Sequence, residues 1–219
     1  MFTTSSGEMA DCIRCGTCCR KGGPVLHHQD KDILRVGRIG YDRLVTLRRG
    51  ERAYNPVKDV LEPIPEELIK LAGNGKDWGC FFYNEAAASC AIYGYRPVEC
   101  RLLKCWDTSA VRSLLGRNTL RRADIINSGD PVLELIAEHE RECPCCELER
   151  FIRDFGHPKK KTAALSGLKE LVHNDMSLRA FAFRELELRR EFELFIFGRP
   201  VSQILKERGL KVTMNKGDY

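Results

Sequence analysis

The stretch CIRCGTCC, residues 12–19, decides how the fold of this chain has to be read. It places four cysteines close together, at Cys12, Cys15, Cys18 and Cys19. In its C-x-x-C-x-x-C part a tight turn can point successive thiols at one centre, and thiolates suit Zn²⁺ or the iron of an iron–sulfur cluster. Because neighbouring side chains usually diverge, we expect Cys19 to serve a second metal, or the same polynuclear one from another side.

Seven further cysteines follow in two groups. The second group consists of Cys80, Cys90, Cys100 and Cys105. Together with the first group it supplies eight thiols, the number that two Cys₄ sites need. The third group consists of Cys143, Cys145 and Cys146. These three thiols would form an open site with one free position, complete one of the other sites, or serve as a redox-active or accessory patch.

Composition points to a reduced environment rather than to a disulfide framework. The 219 residues include eleven cysteines, an odd number, and the start MFTTSSGEMADC has neither the basic nor the apolar region of a signal peptide. No apolar run reaches the roughly 18 residues of a membrane span. The formal charge of +5 is too small a bias to indicate nucleic-acid binding. The sequence therefore predicts a soluble cytoplasmic protein with no membrane contact.

The pattern along the chain predicts a mainly α-helical fold. We expect an irregular, metal-nucleated, cysteine-rich N-terminal half with a small hairpin over 78–95, and a helical C-terminal half. Helices are predicted over 41–49, 65–73, 130–142 and 200–209, and over 163–197 with a break at HNDMS, residues 173–177. The predicted regions are 11–106 as the metal-chelating domain, 107–156 as a helical segment with the third cysteine group, and 163–219 as a C-terminal helical region.

Several other residues are candidates for secondary roles. Six basic residues could donate hydrogen bonds to sulfur: Arg14, Arg20, Lys21, Arg96, Arg101 and Lys104. His27, His28 and His139 could add nitrogen ligands, although loop or core positions are the simpler interpretation. The arginine-rich stretch 35–52 is either a solvated face or a surface for an acidic partner, and the C-terminal helices offer a second possible surface for a protein partner.

The sequence resembles a known family, the YkgJ-type cysteine cluster family, which is named for its CxxCxxCC motif. The matching phrases are CIRCGTCC at 12–19, CFF at 80–82 and CAIYGYRPVECR at 90–101, with Cys105 as the eighth cysteine. The resemblance covers roughly residues 11–106. It implies chelation of zinc or iron by Cys12, Cys15, Cys18, Cys19, Cys80, Cys90, Cys100 and Cys105. The group Cys143, Cys145 and Cys146 lies outside the family pattern.

Three functions remain open from the sequence. The first is a metal-binding protein that holds zinc or an iron–sulfur cluster in a structural, redox, sensing or delivery role. The second is a metal-dependent enzyme that modifies a protein, because flagellin lysine N-methylases carry a similar cluster; no Gly-rich nucleotide loop supports that here. The third is a helical adaptor in which the metal is only structural.

Overall fold

The computed structural model describes residues 12–74 and 78–210. Its helices are α1 (Thr17–Arg20), α2 (Lys31–Arg35), α3 (Val98–Leu102), α4 (Ser109–Leu114), α5 (Arg122–Ile125), α6 (Val132–Glu142), α7 (Cys145–Phe155), α8 (Lys161–Glu185), α9 (Glu193–Phe197) and α10 (Val201–Glu207). Its strands are β1 (Leu44–Leu47), β2 (Arg52–Asn55), β3 (Val60–Pro63), β4 (Leu68–Leu71), β5 (Gly73–Asn74), β6 (Gly79–Cys80), β7 (Tyr83–Asn84) and β8 (Ser89–Cys90). Helix makes up about 48% of the chain, and the predicted helical C-terminal half is confirmed. Among the described helices, none combines the length and the apolar composition that crossing a membrane requires.

Short antiparallel pairs characterise the N-terminal half. Strands β2 and β3 pair from Arg52 opposite Pro63 to Asn55 opposite Val60. The predicted small hairpin is present as β7 and β8, in which Tyr83 lies opposite Cys90. Cys80 is not on the other arm of that hairpin, because β6 pairs with β5 instead.

The chain divides into two compact units whose segments alternate along the sequence. The first unit comprises Met1–Leu44 and Ile69–Leu120, and the second comprises Val45–Leu68 and Arg121–Tyr219. The first two cysteine groups belong to the first unit, and the third group belongs to the second. The three consecutive regions predicted from the sequence stay predictions, because compactness does not establish which segment folds by itself.

The core of the first unit is built around the segment 24–26. Leu26 donates a backbone hydrogen bond to Ile69 (2.8 Å) and accepts one from Leu120 (2.9 Å), and all three side chains are fully buried. Residues 68–71 therefore form a strand, with Ile69 and Leu71 on the buried side. The predicted helix over 65–73 is wrong, because this alternating burial and the pairing with 24–26 favour an extended chain.

The predicted helix over 41–49 is also wrong. Tyr41–Arg43 forms a single 3₁₀ turn, and the chain then continues into β1. Three consecutive residues of β1, Leu44 to Thr46, are buried. Burial on both faces of a strand produces a continuous apolar run, which periodicity cannot distinguish from part of a buried helix.

The second unit is organised around α8. One hydrophobic cluster joins α7, α8 and α10, through Leu148, Leu168, Leu171, Val172, Val201, Ile204 and Leu205. Gly167 allows this packing, since a Cβ at that position would overlap the Phe151 ring. The start of α6 after Asp130-Pro131 and its extent match the prediction, and so do the helix 201–207 and the stop at Gly198, whose φ is 68°.

Helix α8 runs without interruption through residues 173–177, so the predicted break there is wrong. Asp175 has the residue type of a helix cap, but its side chain is buried within α8. Its Oδ1 accepts hydrogen bonds from His139 Nε2 (2.7 Å) and Arg179 Nε (2.9 Å), and its Oδ2 accepts one from Val201 N (3.0 Å). The Asp175 carboxylate thus accepts a hydrogen bond from the first amide of α10. It does not cap a helix that begins at residue 175.

Candidate metal centre

Two left-handed backbone positions tighten residues 12–19, which we call the first cysteine loop. Arg14 has a φ of 56° and Gly16 a φ of 75°. Gly16 needs to be glycine for a second reason as well, because a Cβ there would overlap the Tyr83 hydroxyl. The Gly16 carbonyl then accepts a hydrogen bond from Arg20 N at 2.8 Å, which closes the turn of α1. The tight turn predicted for this motif is therefore present, and it presses against β7.

The second group reaches the same region from separate short elements. Cys80 ends β6, whose Gly79 lies close to the Cys19 carbonyl; a Cβ there would be 3.9 Å from that oxygen. Cys90 ends β8, and Cys100 lies within α3. Cys105 follows in the turn that Lys104 and Asp107 close. The eight thiols thus come from five stretches of one compact unit.

Cys18 and Cys19 do not diverge as their adjacency in the sequence suggested. Their sulfurs are 4.0 Å apart. Two ligands on one tetrahedral zinc, with Zn–S bonds of about 2.3 Å, would be about 3.8 Å apart. The hydrogen bond between the two thiols lowers the pKa of Cys18 and raises the pKa of Cys19. The separation of the two sulfurs is therefore close to that of two sulfurs on one metal.

Electrostatic interactions show which of the other sulfurs are neighbours. Burial raises the pKa of Cys105, and the charges of Cys18, Cys15 and Cys12 raise it further. Cys105 is therefore close to the first cysteine loop.

Cys100 has a different set of neighbours. Burial raises its pKa, and so do the charges of Cys80, Cys18 and Cys90. Cys80 and Cys100 also raise the pKa of Cys19, after the hydrogen bond from Cys18 and burial. Like charges so close together need positive partners, so the region is suited to a cation.

The eight thiols are donors of the type that a borderline or soft metal prefers. Their side chains, however, do not converge on one point in this structure. Within residues 12–74 and 78–210, no group of three or more His, Cys, Asp or Glu side chains has an arrangement that could hold a metal ion. Eight thiols in one compact unit are nevertheless the ligand chemistry of zinc and of iron–sulfur clusters. The residues that would hold the metal are Cys12, Cys15, Cys18, Cys19, Cys80, Cys90, Cys100 and Cys105.

His27, a sequence candidate for a nitrogen ligand, is fully engaged elsewhere. Its Nδ1 donates to the Arg117 carbonyl (2.8 Å), and its Nε2 donates to Glu99 Oε1 (3.1 Å). The ring is completely buried. Burial disfavours its charge, but the hydrogen bonds to Glu99 and to the Arg117 carbonyl outweigh burial and raise the pKa of His27. With a proton on each nitrogen, the ring has no lone pair left for a metal.

Glu99 was missed from the sequence, although it directly precedes Cys100. Its Oε2 accepts a hydrogen bond from Val25 N at 2.8 Å, in addition to the bond from His27. Asp30 accepts from Val98 N at 2.8 Å beside it. These bonds fix the start of α3, and they hold Cys100 in place. The signal in the sequence that could have identified Glu99 was its position directly before the predicted ligand Cys100.

We expect His27 to make the first unit less stable as the pH rises. Its folded-state pKa lies above its unfolded value of about 6.5, so its contribution is complete below pH 6.5 and is lost as the pH passes the folded value. His27→Gln should remove that pH dependence and cost about 1–3 kcal/mol at pH 6. Urea unfolding of the metal-loaded chain between pH 6 and pH 9 measures both effects.

Glu99→Gln provides the matched comparison for His27→Gln. If the ion pair causes the effect, the single variants and the double variant should lose the same pH-dependent part of the unfolding free energy. A His27→Gln chain that keeps the parental slope above pH 6.5 would contradict the interpretation.

The third cysteine group lies in the second unit. Cys143, which follows α6, donates from Sγ to the Leu171 carbonyl at 3.7 Å. Cys145 is buried at the start of α7, whereas Cys146 is exposed. Burial raises the pKa of both Cys143 and Cys145 to about 12. Buried thiols of this kind are unreactive and behave as core residues. The open metal site predicted at Cys143, Cys145 and Cys146 stays a prediction.

The two remaining candidate histidines have different environments. His139 is fully buried, and its Nε2 bonds to Asp175. Its Nδ1 is buried and has no hydrogen-bond partner among the described residues. Burial lowers the pKa of His139, so the ring is neutral. His28 is exposed next to His27.

The arginine-rich stretch 35–52 is used largely within the fold. Arg48 is completely buried and pairs with Glu140 at 3.0 Å. Arg43 lies 3.9 Å over the Phe81 ring, and Arg52 donates to the Leu61 carbonyl at 2.7 Å. A partner surface over 35–52 stays a prediction, and Arg48 would not be part of it.

The segment that carries the eight thiols matches a known family. Residues 11–115 match the model of the CxxCxxCC family, described as "Putative zinc- or iron-chelating domain". The resemblance found from the cysteine phrases is thereby confirmed over this segment, which is slightly less than half of the chain. No curated protein and no solved structure matches the chain.

Proposed function

We propose that the chain binds zinc or an iron–sulfur cluster through the eight cysteines of the first unit. One observation supports the proposal: five separate stretches of one compact unit carry the eight thiols, and neighbouring cysteines oppose the ionisation of Cys19, Cys80, Cys100 and Cys105. Without a cation such a cluster has to keep most of its protons. With a metal, each thiolate becomes a ligand, and the like charges are neutralised.

The neighbours of each sulfur support a division into two four-thiolate groups. Cys105 interacts with all three cysteines of the C-x-x-C-x-x-C run, so the first proposed group is Cys12, Cys15, Cys18 and Cys105. The second proposed group is Cys19, Cys80, Cys90 and Cys100, because Cys80 and Cys90 affect Cys100, and Cys80 and Cys100 affect Cys19. Cys18 also affects Cys19, Cys80 and Cys100, so the two groups adjoin at Cys18 and Cys19, whose separation of 4.0 Å would also suit two sulfurs on one metal.

The two groups differ in exposure, and that difference supports different roles. Cys15 and Cys105 are exposed, whereas Cys80 is buried. A metal in the first group would be accessible to a redox partner or to a metal acceptor. A metal in the second group would mainly cross-link β6, β8 and α3 to the first cysteine loop. We therefore propose a structural role for the second group and a redox or delivery role for the first.

Metal and acid-labile sulfide analysis of protein purified without oxygen, with a visible spectrum, tests the proposal. About two zinc ions per chain without colour indicate two Cys₄ sites. Iron and sulfide in equal amounts with a brown colour indicate an iron–sulfur protein. Cys105→Ser and Cys100→Ser should each lose metal from one group, whereas Cys146→Ser, exposed in the second unit, should keep the full content. A parent chain that contains neither metal and takes up neither would refute the proposal.

A further inference from the structure

Tyr93 is stacked by two arginines that come from different cysteine-bearing segments. The Arg14 guanidinium carbon lies 4.2 Å from the centroid of the Tyr93 ring, and the Arg96 guanidinium carbon lies 3.6 Å from it. Both guanidinium groups are therefore within cation–π distance of the same ring. Arg14 belongs to the first cysteine loop, while Tyr93 and Arg96 lie in the second cysteine group's segment.

The backbone of Arg14 is held in an unusual conformation. Its φ of 56° is in the left-handed region, which non-glycine residues rarely adopt. Such a conformation persists only where the surrounding contacts fix it. Arg14 N donates to Cys12 Sγ at 3.4 Å, and its side chain reaches the Tyr93 ring. The conformation that directs this amide to a ligand sulfur is therefore the one that also places the guanidinium on the ring.

Arg96 retains a buried donor, its Nε, that has no hydrogen-bond partner among the described residues. The charge of Arg96 favours the Cys18 thiolate, after the stronger effect of the bond from Cys19. A guanidinium that stacks on a ring keeps its in-plane N–H groups available for other acceptors. The Arg96 Nε–H thus keeps its donor capacity while the guanidinium lies over the ring.

The charge balance of a loaded cluster needs such cations. Eight thiolates with two divalent ions carry about −4 in total, and hydrogen bonds from basic residues around the ligands offset such charge. Both guanidinium groups are attracted by the π-electrons of Tyr93, which offsets part of their mutual repulsion.

We propose that Arg14, Tyr93 and Arg96 form a clamp that holds the first cysteine loop against the Cys90–Cys100 segment and so sets the affinity of the cluster for metal. The inference rests on the proposed metal-binding function and extends it to residues that are not themselves ligands. Tyr93 is a positioning residue in this clamp, because it acts through the two arginines.

The test is the zinc affinity of the full chain, measured without oxygen by competition with a chromophoric chelator. Tyr93→Leu removes the ring and is expected to weaken zinc binding about tenfold or more. Tyr93→Phe keeps the ring and should stay within about threefold of the parent. Tyr95→Leu is the matched control, because Tyr95 lies in the same 3₁₀ turn but is approached by Arg38, at 5.2 Å, instead of by an arginine of the cysteine loop.

A second variant keeps the test valid if Tyr93→Leu does not fold. Arg14 is exposed, so Arg14→Met removes one stacked cation without touching the core. It should weaken binding about threefold to tenfold, and Arg14→Lys should recover part of the loss. Equal affinities for the parent and Arg14→Met, or for Tyr93→Leu and Tyr95→Leu, would overturn the clamp alone. A parent chain that binds no zinc or iron would overturn the proposed function and the clamp with it.

Discussion

Removal of metal is expected to strip hydrogen-exchange protection from residues 12–22 and 79–106 while α8 keeps its protection. The elements that carry the ligands are too short to be stable alone. Within the described part of the first unit, no helix is longer than the six residues of α4, and β5 to β8 have two residues each. Isolated helices shorter than about 12–15 residues are marginal in water, so these elements depend on what cross-links them.

The size of the expected effect follows from the energy of metal binding. A structural zinc contributes apparent free energies of about 10–16 kcal/mol, which is comparable to the whole stability of a typical domain. The second unit instead has the 25-residue α8, which packs with α7 and α10 through a continuous hydrophobic cluster. Its protection should survive a chelator.

Hydrogen exchange followed by mass spectrometry, before and after a strong chelator, measures this difference. Re-addition of zinc should restore the protection of 79–106, and magnesium should not, because it prefers oxygen ligands. Unchanged protection over 79–106 in the chelated chain would show that the metal does not hold this segment.

Glu140→Ala is expected to destabilise the second unit by about 3–5 kcal/mol. Glu140 Oε1 accepts from Arg48 Nε (3.0 Å) and Arg122 Nη2 (2.7 Å), and its Oε2 accepts from Arg48 Nη2 (3.1 Å). Arg48 is 0% and Arg122 2% exposed. Arg122 would keep its bonds to Glu67, but Arg48 would lose the carboxylate that balances its buried charge. An uncompensated buried charge is among the most costly single changes in a fold.

Glu138→Ala is the matched control on the same helix. Glu138 pairs with Arg141, and both side chains are largely exposed. Surface pairs of this kind contribute about 0–1 kcal/mol. Guanidinium unfolding at pH 7 should therefore separate the two variants by at least about 2 kcal/mol, and equal midpoints would contradict the role assigned to Glu140.

The effect of Glu140 also has a defined pH dependence. Burial opposes its ionisation, but Arg48 and Arg122 hold its pKa below the usual range. Its contribution is therefore complete above the unfolded value of about 4.3 and is lost as the pH falls through the folded value. The difference between the parent and Glu140→Ala should shrink in acid.

The cysteines were the part of the site that could be predicted from the sequence, because their spacing is a local property. Helices with clear caps, such as α6 and α10, could be predicted for the same reason. The strand Leu68–Leu71 could not, because its pairing with the segment 24–26 depends on residues more than forty positions away. Local propensity gives way to tertiary contacts of this kind.

Buried polar networks were the second thing that the sequence hid. Asp175 has the residue type of a helix cap, yet its partners come from α6, α8 and α10. His27 looked like a loop residue and became a buried ion pair with Glu99. In both cases the deciding partner is distant in sequence, so spacing and composition carried no sign of it.

The alternation of the two units along the chain also has a consequence during synthesis. The first cysteine loop leaves the ribosome roughly 85 residues before Cys105. At about 5–20 residues per second, this delay is on the order of 4–17 s. Until Cys80 is translated, the nascent chain holds four thiols with none of their partner sulfurs, and the set of eight is complete only at Cys105. Correct assembly therefore depends on a reducing surrounding that keeps Cys12, Cys15, Cys18 and Cys19 unoxidised until residue 105 has been translated.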